Sequence, residues 1–260
     1  MTATVEPRRP AAVRSRVTTL RKDAWWIAPL VTAVVLTAFV VYGTWVALFD
    51  SNYYADPYLS PFYSPCIAAN CAEPTWNIVG DWWTLSPALL ILPIPLGFRL
   101  TCYYYRKAYY RAFFFAPPGC AVGDARALYS GESRFPFILQ NLHRCLFYLA
   151  LPFPIILLWD AFKAFDFPDG FGMGLGTVLL LVNALLLGSY TLSCHSCRHL
   201  CGGNLDVFSQ APVRYRLWKF VSVLNEHHMA IAWVSLVGVA LTDLYIRLVA
   251  TGVIDDPRFF

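Results

Sequence analysis

The chain has 260 residues, of which 58% are hydrophobic and only 14% are charged, and its formal net charge is +4. Water-soluble domains carry about 25% charged residues, and the mean hydropathy of +0.50 points the same way. The composition therefore excludes a soluble catalytic domain and predicts an integral membrane protein.

Five stretches hold the roughly 20 mostly apolar residues that a helix needs to cross a bilayer. They lie at about 25–49, 82–102, 135–159, 171–195 and 228–250. The second contains prolines and the third begins with polar residues, which a membrane helix tolerates where neighbouring groups satisfy the backbone. We predict an all-α bundle of five transmembrane helices over residues 25–260, with residues 1–24 as a basic N-terminal arm.

Basic residues are distributed unequally between the two sides of this bundle. If the N-terminus is cytoplasmic, every Lys and Arg lies on or near the inner side except Lys163, Arg247 and Arg258. Cytoplasmic loops are enriched in Lys and Arg, so we predict a cytoplasmic N-terminus, an external C-terminus and a multi-pass protein of the inner (plasma) membrane. The cytoplasmic flank of a membrane helix also explains the basic arm, and we expect no nucleic-acid partner.

The cysteines and histidines also divide by side. Cys66 and Cys71 lie in the first outer loop, where the compartment permits disulfides, so we predict a disulfide between them, with a redox-active dithiol as the alternative. The other cysteines and all five histidines lie on or near the inner side, where separate elements meet at one depth. Those that we consider as metal ligands are Cys102, Cys120, His143, Cys194, His195, Cys197, His199 and His228.

Two thiols and two imidazoles are concentrated in the hexapeptide from Cys194 to His199, at the end of the fourth apolar stretch. At about 100° per residue, its two histidines share one helical face and its two cysteines another, about 150° away. A regular helix therefore cannot direct all four at one small centre. Either the helix unwinds here, or one pair binds together with candidates from the other elements, and the sequence leaves both open.

Three cofactors fit Cys and His in this setting. Zinc needs only such ligands and would act as a structural clip. A b-type haem needs two histidines on opposite faces of its ring, for which His143 with His228, or either of them with His195 or His199, are suitable. A set of two Cys and two His is typical of a Rieske-type [2Fe–2S] cluster, in which two His replace two Cys on one iron.

Several segments are specific enough to indicate a family. They are 97–111, 139–144, 191–199, His228-Met229 and 255–260. Over about residues 21–260 the chain resembles the membrane-anchor subunit of actinobacterial succinate dehydrogenase, the mycobacterial, type-F form of respiratory complex II. The resemblance implies a flavoprotein subunit and an iron–sulfur subunit as partners, a quinone site in the anchor, and a membrane-embedded Rieske-type [2Fe–2S] cluster in place of haem. It does not identify which Cys and His bind the cluster.

A quinone site needs an apolar slot with a few polar groups at one end. Polar residues at the right depth include Tyr105, Arg106, His143 and Arg144, and we predict that these contact the quinone, menaquinone or ubiquinone.

Two further features lie near the ends of the last spans. The inner segment 200–226 is basic and aromatic at intervals, as expected of a helix that lies on the membrane surface or meets a partner subunit. In the last span, Asp243 and Arg247 are four residues apart, and we predict a structural ion pair rather than a proton route.

We therefore interpret the chain as the membrane anchor of a succinate:quinone oxidoreductase of the respiratory chain. It would relay electrons from the soluble iron–sulfur subunit through the [2Fe–2S] cluster to quinone, without taking part in succinate chemistry. The alternatives are a mono-haem cytochrome b-type anchor, a membrane thiol–disulfide oxidoreductase that uses Cys66/Cys71 and Cys194/Cys197, and a membrane protein with a structural zinc. Contact with membrane lipid follows from the composition, and assembly of the complex into a higher oligomer is left open.

Overall fold

The computed structural model describes residues 17–49, 51–66, 86–125 and 131–260, and these are mostly helical. The α-helices are α1 (Ile27–Leu48), α2 (Pro87–Ile91), α3 (Pro93–Leu100), α4 (Tyr103–Phe113), α5 (His143–Ala150), α6 (Pro152–Lys163), α7 (Leu175–Leu192), α8 (His195–Gly202), α9 (Pro212–Glu226) and α10 (His228–Ala250). Two short antiparallel hairpins pair β1 (Tyr54–Ala55) with β2 (Tyr58–Leu59) and β3 (Asp166–Phe167) with β4 (Gly170–Phe171). Single 3-10 turns lie at Pro61–Tyr63, Gly131–Ser133, Phe137–Leu142 and Phe208–Gln210.

Four helical segments among the described residues are long and apolar enough to cross a membrane. They are Ile27–Leu48, Phe137–Lys163, Leu175–Leu192 and His228–Ala250, and they correspond to the first, third, fourth and fifth predicted spans. Many large apolar side chains on them stay exposed, such as Val41, Ile155 and Leu241, as expected where the surrounding solvent is lipid. The chain is therefore a multi-pass helical membrane protein.

The second predicted span differs from one continuous helix. α2 ends at Ile91 and α3 begins at Pro93, with Leu92 between them. Pro93 and Pro95 have no backbone N–H to donate to the preceding turn, which interrupts the helix. Residues 82–85 of this predicted span lie outside the described residues. A fifth crossing, and with it the orientation of the two termini, stays a prediction.

Contacts divide the chain into two compact units. Unit 1 contains the described residues of 17–37 and Tyr103–Leu139. In it, Thr19 and Val122 form an isolated β-bridge, and Arg106 makes an ion pair with Glu132 at 3.0 Å. Residues 1–16 of the predicted N-terminal arm lie outside the described residues.

Unit 2 contains the described residues of Ala38–Cys102 and Gln140–Phe260, and α7 packs in it against α6 and α10. Its C-terminal tail is held by Asp256, which accepts hydrogen bonds from the hydroxyls of Tyr58 and Tyr245 at 2.6 Å each. Asp256 also accepts one from the Gly176 N–H at 2.8 Å. A Cβ atom on Gly176 would lie 2.6 Å from the Tyr58 ring, so this close approach requires glycine.

Candidate metal centre and adjoining cavity

Four different elements of unit 2 bring two thiols and two imidazoles together. Cys102 follows α3, His143 begins α5, Cys194 lies between α7 and α8, and His228 begins α10. His143 Nε2 lies 3.1 Å from Cys194 Sγ, and Cys102 Sγ lies 3.3 Å from His228 Nε2. Cys102, Cys194 and His228 are each at most 2% exposed. The group therefore combines two Cys–His pairs in a buried site.

The chain leaves the helical path where Cys194 joins this group. α7 ends at Leu192, and Cys194 has an extended backbone (φ −65°, ψ 145°) as the N-cap of α8. Its sulfur accepts a hydrogen bond from the Ser196 N–H at 3.4 Å. The helix is therefore interrupted at the start of the hexapeptide: Cys194 lies at the break, whereas His195, Cys197 and His199 lie in α8.

Hydroxyl groups fix the orientation of both imidazoles. Thr101 Oγ1 lies 3.0 Å from His143 Nδ1, and Ser193 Oγ lies 2.7 Å from His228 Nδ1. Each hydroxyl donates its own hydrogen to a backbone carbonyl of the preceding turn, so we assign a proton to each Nδ1. Each Nε2 is then unprotonated, faces a sulfur and is able to bind a metal. Metal-binding histidines have the same arrangement, with the other ring nitrogen held by a hydrogen bond.

Each hydroxyl and the thiol that follows it in the sequence contact different histidines. Thr101 holds His143 while the adjacent Cys102 faces His228; Ser193 holds His228 while the adjacent Cys194 faces His143. Asn225 at the end of α9 supports this arrangement because its Nδ2 donates to the Ser193 carbonyl at 2.7 Å. Each Thr/Ser-Cys dipeptide thus contacts both histidines.

Two thiols and two imidazoles are the ligand types both of a structural zinc and of a Rieske-type cluster. Within the described part of the chain, no group of three or more Cys, His, Asp or Glu side chains is arranged to hold a metal ion, and the four side chains meet as two Cys–His pairs. A Rieske-type cluster takes only two protein ligands on each iron, two Cys on one and two His on the other. Two thiols and two imidazoles in touching pairs match that composition.

The two Cys–His pairs do not include the other ligand candidates. Cys197 is buried in α8, where burial and the Cys201 thiol raise its pKa to about 12. His195 is exposed, and His199 packs so closely on Gly203 that a Cβ atom there would lie 1.8 Å from the ring. Cys120 belongs to unit 1 and has an exposed thiol.

The thiol–disulfide alternative finds little support in these thiols. Reactive dithiols have a lowered thiol pKa, whereas the pKa of Cys197 is raised. Cys66 is disulfide-bonded, and Cys71 lies outside the described residues. The predicted pairing of Cys66 with Cys71 stays a prediction.

The predicted quinone contacts are in different surroundings. His143 belongs to the Cys/His group, and Arg144 is exposed. In unit 1, Tyr105 is buried, and the Arg106 guanidinium lies 5.0 Å from the Tyr103 ring centroid as well as beside Glu132.

A cavity of about 460 Å³ lies inside unit 2. Its walls come from α1, α2, α3, α5, α6, α7, α10 and the turn at Pro61–Tyr63, and they are almost entirely apolar. Among the described residues that line it, Arg99 is the one that carries a charge. The Arg99 guanidinium donates to Ser235 Oγ at 3.0 Å and to the Ala232 carbonyl at 3.3 Å.

Two aromatic rings separate the cavity from the Cys/His group. Phe98 lines the cavity and stacks on His143, with ring centroids 4.9 Å apart and planes 6° apart. Tyr190 also lines it and stacks on His228 at 5.2 Å and 16°. Arg99 lies over the Tyr190 ring, 4.5 Å from its centroid. The cavity and the two imidazoles therefore share a wall one ring thick.

Sequence reasoning missed the residues that support the site. They are Phe98, Arg99, Thr101, Tyr190, Ser193 and Asn225. One signal was available: Thr101-Cys102 and Ser193-Cys194 both place a hydroxyl directly before a candidate thiol. The rings and Arg99 carry no such local signal.

Comparisons with known proteins agree on one family. Residues 27–252 match the model of the actinobacterial succinate dehydrogenase subunit SdhC. Among solved structures, the chain is similar to a chain of the Mycobacterium smegmatis Sdh1 complex in the apo form, with 50% sequence identity, a TM-score of 0.85 and 100% of each chain covered. No curated protein matches the chain.

Proposed function

Because the chain belongs to the family of the actinobacterial succinate dehydrogenase subunit SdhC, we propose that it carries electrons from the soluble subunits of that complex to a membrane quinone. Its partners are the flavoprotein and iron–sulfur subunits, and it anchors them to the plasma membrane. The observation on which the proposal depends is the convergence of Cys102, His143, Cys194 and His228 from four elements.

Cys102 and Cys194 are the proposed ligands of one iron of a Rieske-type [2Fe–2S] cluster, and His143 and His228 those of the other. Such a cluster, when bound, accepts and donates single electrons. The protein supplies four donor atoms, and the hydroxyls of Thr101 and Ser193 hold each imidazole with Nε2 directed inward. Burial keeps water away from these donors, which affects the potential of a redox centre.

A haem between His143 and His228 fits these contacts less well. Each Nε2 that would bind the haem iron lies within 3.3 Å of a thiol sulfur. Both thiols would have to move aside and would have no role. The cluster uses all four groups, and for this reason we favour it over the mono-haem alternative.

The cavity is the proposed quinone site. Its volume lies within the roughly 300–1,000 Å³ of small-molecule sites, and its apolar walls suit a quinone ring with an isoprenoid tail. Arg99 offers a cationic N–H donor for a quinone carbonyl beside the two rings that stack on the imidazoles. Tyr105, Arg106 and Arg144 stay predictions as further quinone contacts.

The proposed orientation places the Cys/His end of the helices on the cytoplasmic side, where the soluble subunits bind. The helix α9 lies in the sequence between the end of α8 and the start of α10, at this same side, and it carries Arg214, Arg216 and Lys219. α9 also exposes Leu217 and Phe220, as does a helix at a membrane surface. With a fifth crossing at residues 82–102, the C-terminus lies outside.

The test uses the complex purified with its soluble subunits, as wild type and with Cys102→Ser or Cys194→Ser. We expect the wild type to give the low-temperature EPR signal of a reduced Rieske-type cluster without haem absorption, and to reduce quinone with succinate. Each variant should lose the signal and quinone reduction but keep succinate oxidation with an artificial dye. Cys145→Ser, which changes an exposed thiol, is the matched control. Haem absorption without the cluster signal, or a full signal in both variants, would contradict the proposal.

A further inference from the structure

A buried carboxylate lies in the last span, away from the Cys/His group. Asp243 of α10 is fully buried. Its Oδ1 accepts a hydrogen bond from Ser60 Oγ, and its Oδ2 accepts one from the Tyr42 hydroxyl and one from Arg247 Nε at 2.9 Å. The predicted ion pair with Arg247 is therefore present. Ionisable groups at membrane depth are costly and commonly functional.

The hydrogen bonds around Asp243 extend to the protein surface. Arg247 Nη1 donates to the Ser51 carbonyl at 2.5 Å, and Ser51 is exposed. Ser51 lies just before the hairpin of β1 and β2. Trp45 and Tyr63 enclose the guanidinium, with ring centroids 5.6 and 5.8 Å from its Cζ. A continuous polar path therefore runs from the hairpin end of the bundle to the Asp243 carboxylate.

Residues next to this network line the cavity in three elements. Ser60 directly precedes Pro61 and Phe62, and Tyr42 directly precedes Gly43. Val239 lies one helical turn before Asp243 on the same face of α10. Pro61, Phe62, Gly43 and Val239 all line the cavity.

Further polar atoms at this depth have no hydrogen-bond partner among the described residues. Arg247 Nη2 is buried and makes no hydrogen bond to the described residues, and the same is true of both amide atoms of Asn183, which is 1% exposed. α7 and α10 lie side by side here, because Leu186 lies beside Gly238 and Leu180 packs with Ile246. Asn183 lies between the two leucines in α7 and is therefore at the same depth as Asp243 in α10. Buried polar groups of this kind commonly bind internal water, which also conducts protons.

We propose that Asp243, with the hydroxyls of Tyr42 and Ser60, is a proton relay that connects the cavity to the hairpin end of the bundle. Reduction of one quinone to quinol consumes two electrons and two protons. The electrons reach the cavity from the Cys/His side, and the protons reach it through Asp243 from the opposite side. The two protons released when succinate becomes fumarate stay on the side of the soluble subunits. Each turnover then moves two charges across the membrane.

This inference rests on the proposed quinone site, and the experiment separates the two. The complex, with its soluble subunits, is reconstituted in liposomes, and succinate is added outside so that only complexes with outward-facing soluble subunits turn over. A pH-sensitive dye is trapped in the lumen, and valinomycin with potassium removes the membrane potential. In the wild type, we expect the lumen to become alkaline by up to two protons per succinate oxidised.

Asp243→Asn keeps the side-chain shape but cannot carry a proton. We expect its quinone reduction to fall by about 100-fold, the lower range for a positioned proton carrier, and the lumen pH to stay constant. Tyr42→Phe and Ser60→Ala keep the Asp243–Arg247 pair and should lower both rates by smaller factors. Asp160→Asn is the matched control, because Asp160 also accepts a hydrogen bond from a serine, Ser64, outside this network. Succinate oxidation with an artificial dye checks assembly of each variant.

Three outcomes would overturn the relay. Quinone reduction by the wild type with constant lumen pH would show that protons come from the other side. Full quinone reduction and lumen alkalinisation in Asp243→Asn and Tyr42→Phe would leave the network a purely structural clamp. Absence of quinone reduction in the wild type would remove the proposed function together with the relay.

Discussion

Ser193 and His228 are joined by a hydrogen bond of 2.7 Å between Oγ and Nδ1, although they belong to different transmembrane segments. The bond joins the end of α7 to the start of α10, and it sets which nitrogen of His228 is available to a metal. Thr101 does the same for His143. The geometry of the Cys/His group therefore depends on residues that bind no metal themselves.

Ser193→Ala should weaken cluster binding while leaving all four proposed ligands in place. Loss of the hydroxyl frees the His228 ring to rotate, and changes of this kind typically lower metal affinity by about 10- to 100-fold. The measurement is iron and acid-labile sulfide per purified complex, together with the EPR signal of the cluster. Ser189→Ala, in the last turn of α7, is the control, because the hydroxyls that hold the imidazoles among the described residues are those of Thr101 and Ser193. Equal cluster content in the two variants would contradict the role of Ser193.

Arg99→Met should impair quinone reduction without changing the cluster. Arg99 is the charged residue of the cavity wall, and loss of a hydrogen bond from a charged donor corresponds to about tenfold or more in binding. We expect the KM for quinone to rise while the EPR signal is retained. Arg106→Met makes the same change at a site predicted from the sequence. A larger effect at Arg106 than at Arg99 would move the quinone site away from the cavity.

Gly43→Leu should obstruct the cavity from the side of α1. A Cβ atom at Gly43 would lie 3.7 Å from the Phe62 ring, an ordinary van der Waals contact, so Gly43→Ala should be tolerated. The longer leucine side chain must extend into the cavity that Gly43 lines. We expect quinone reduction to fall in Gly43→Leu and to be nearly unchanged in Gly43→Ala, measured as succinate–quinone activity of the assembled complex. Full activity of the leucine variant would argue against quinone binding here.

Asp256→Asn should destabilise the C-terminal tail. Three hydrogen bonds converge on this carboxylate, and a hydrogen bond to a charged group contributes about 1.5–3 kcal/mol. The measurement is the Tm of the purified complex, which we expect to fall. The neighbouring Asp255 is exposed, and Asp255→Asn should change stability by less than about 0.5 kcal/mol. Similar Tm values for the two variants would contradict the role of Asp256.

The sequence alone predicted four of the membrane-spanning segments, because apolar length is a local property that a window of residues reveals. It also predicted that cysteines and histidines from several elements meet at one end. It did not distinguish Cys194 as a ligand from Cys197, His195 and His199, because the spacing of the four residues resembles a single motif. The break after α7, which sets Cys194 apart, depends on local backbone geometry.

The cavity and its supporting residues were beyond sequence reasoning for a different reason. The contact of Phe98 with His143 requires α3 to pack on α5, and that of Arg99 with Ser235 requires α3 to approach α10. Such contacts depend on how an interrupted helix is placed among its neighbours. The prolines of the second predicted span do not reveal the space that the interrupted helix encloses.

The most direct test of His143 and His228 as cluster ligands is pulsed EPR on the reduced complex with ¹⁵N-labelled histidine. We expect couplings from two imidazole nitrogens bound to iron, which are altered in His143→Cys and His228→Cys but retained in His195→Ala and His199→Ala. Couplings that disappear in the His195 or His199 variants and persist in the other two would contradict the assignment. So would a cluster signal without any coupling to histidine nitrogen.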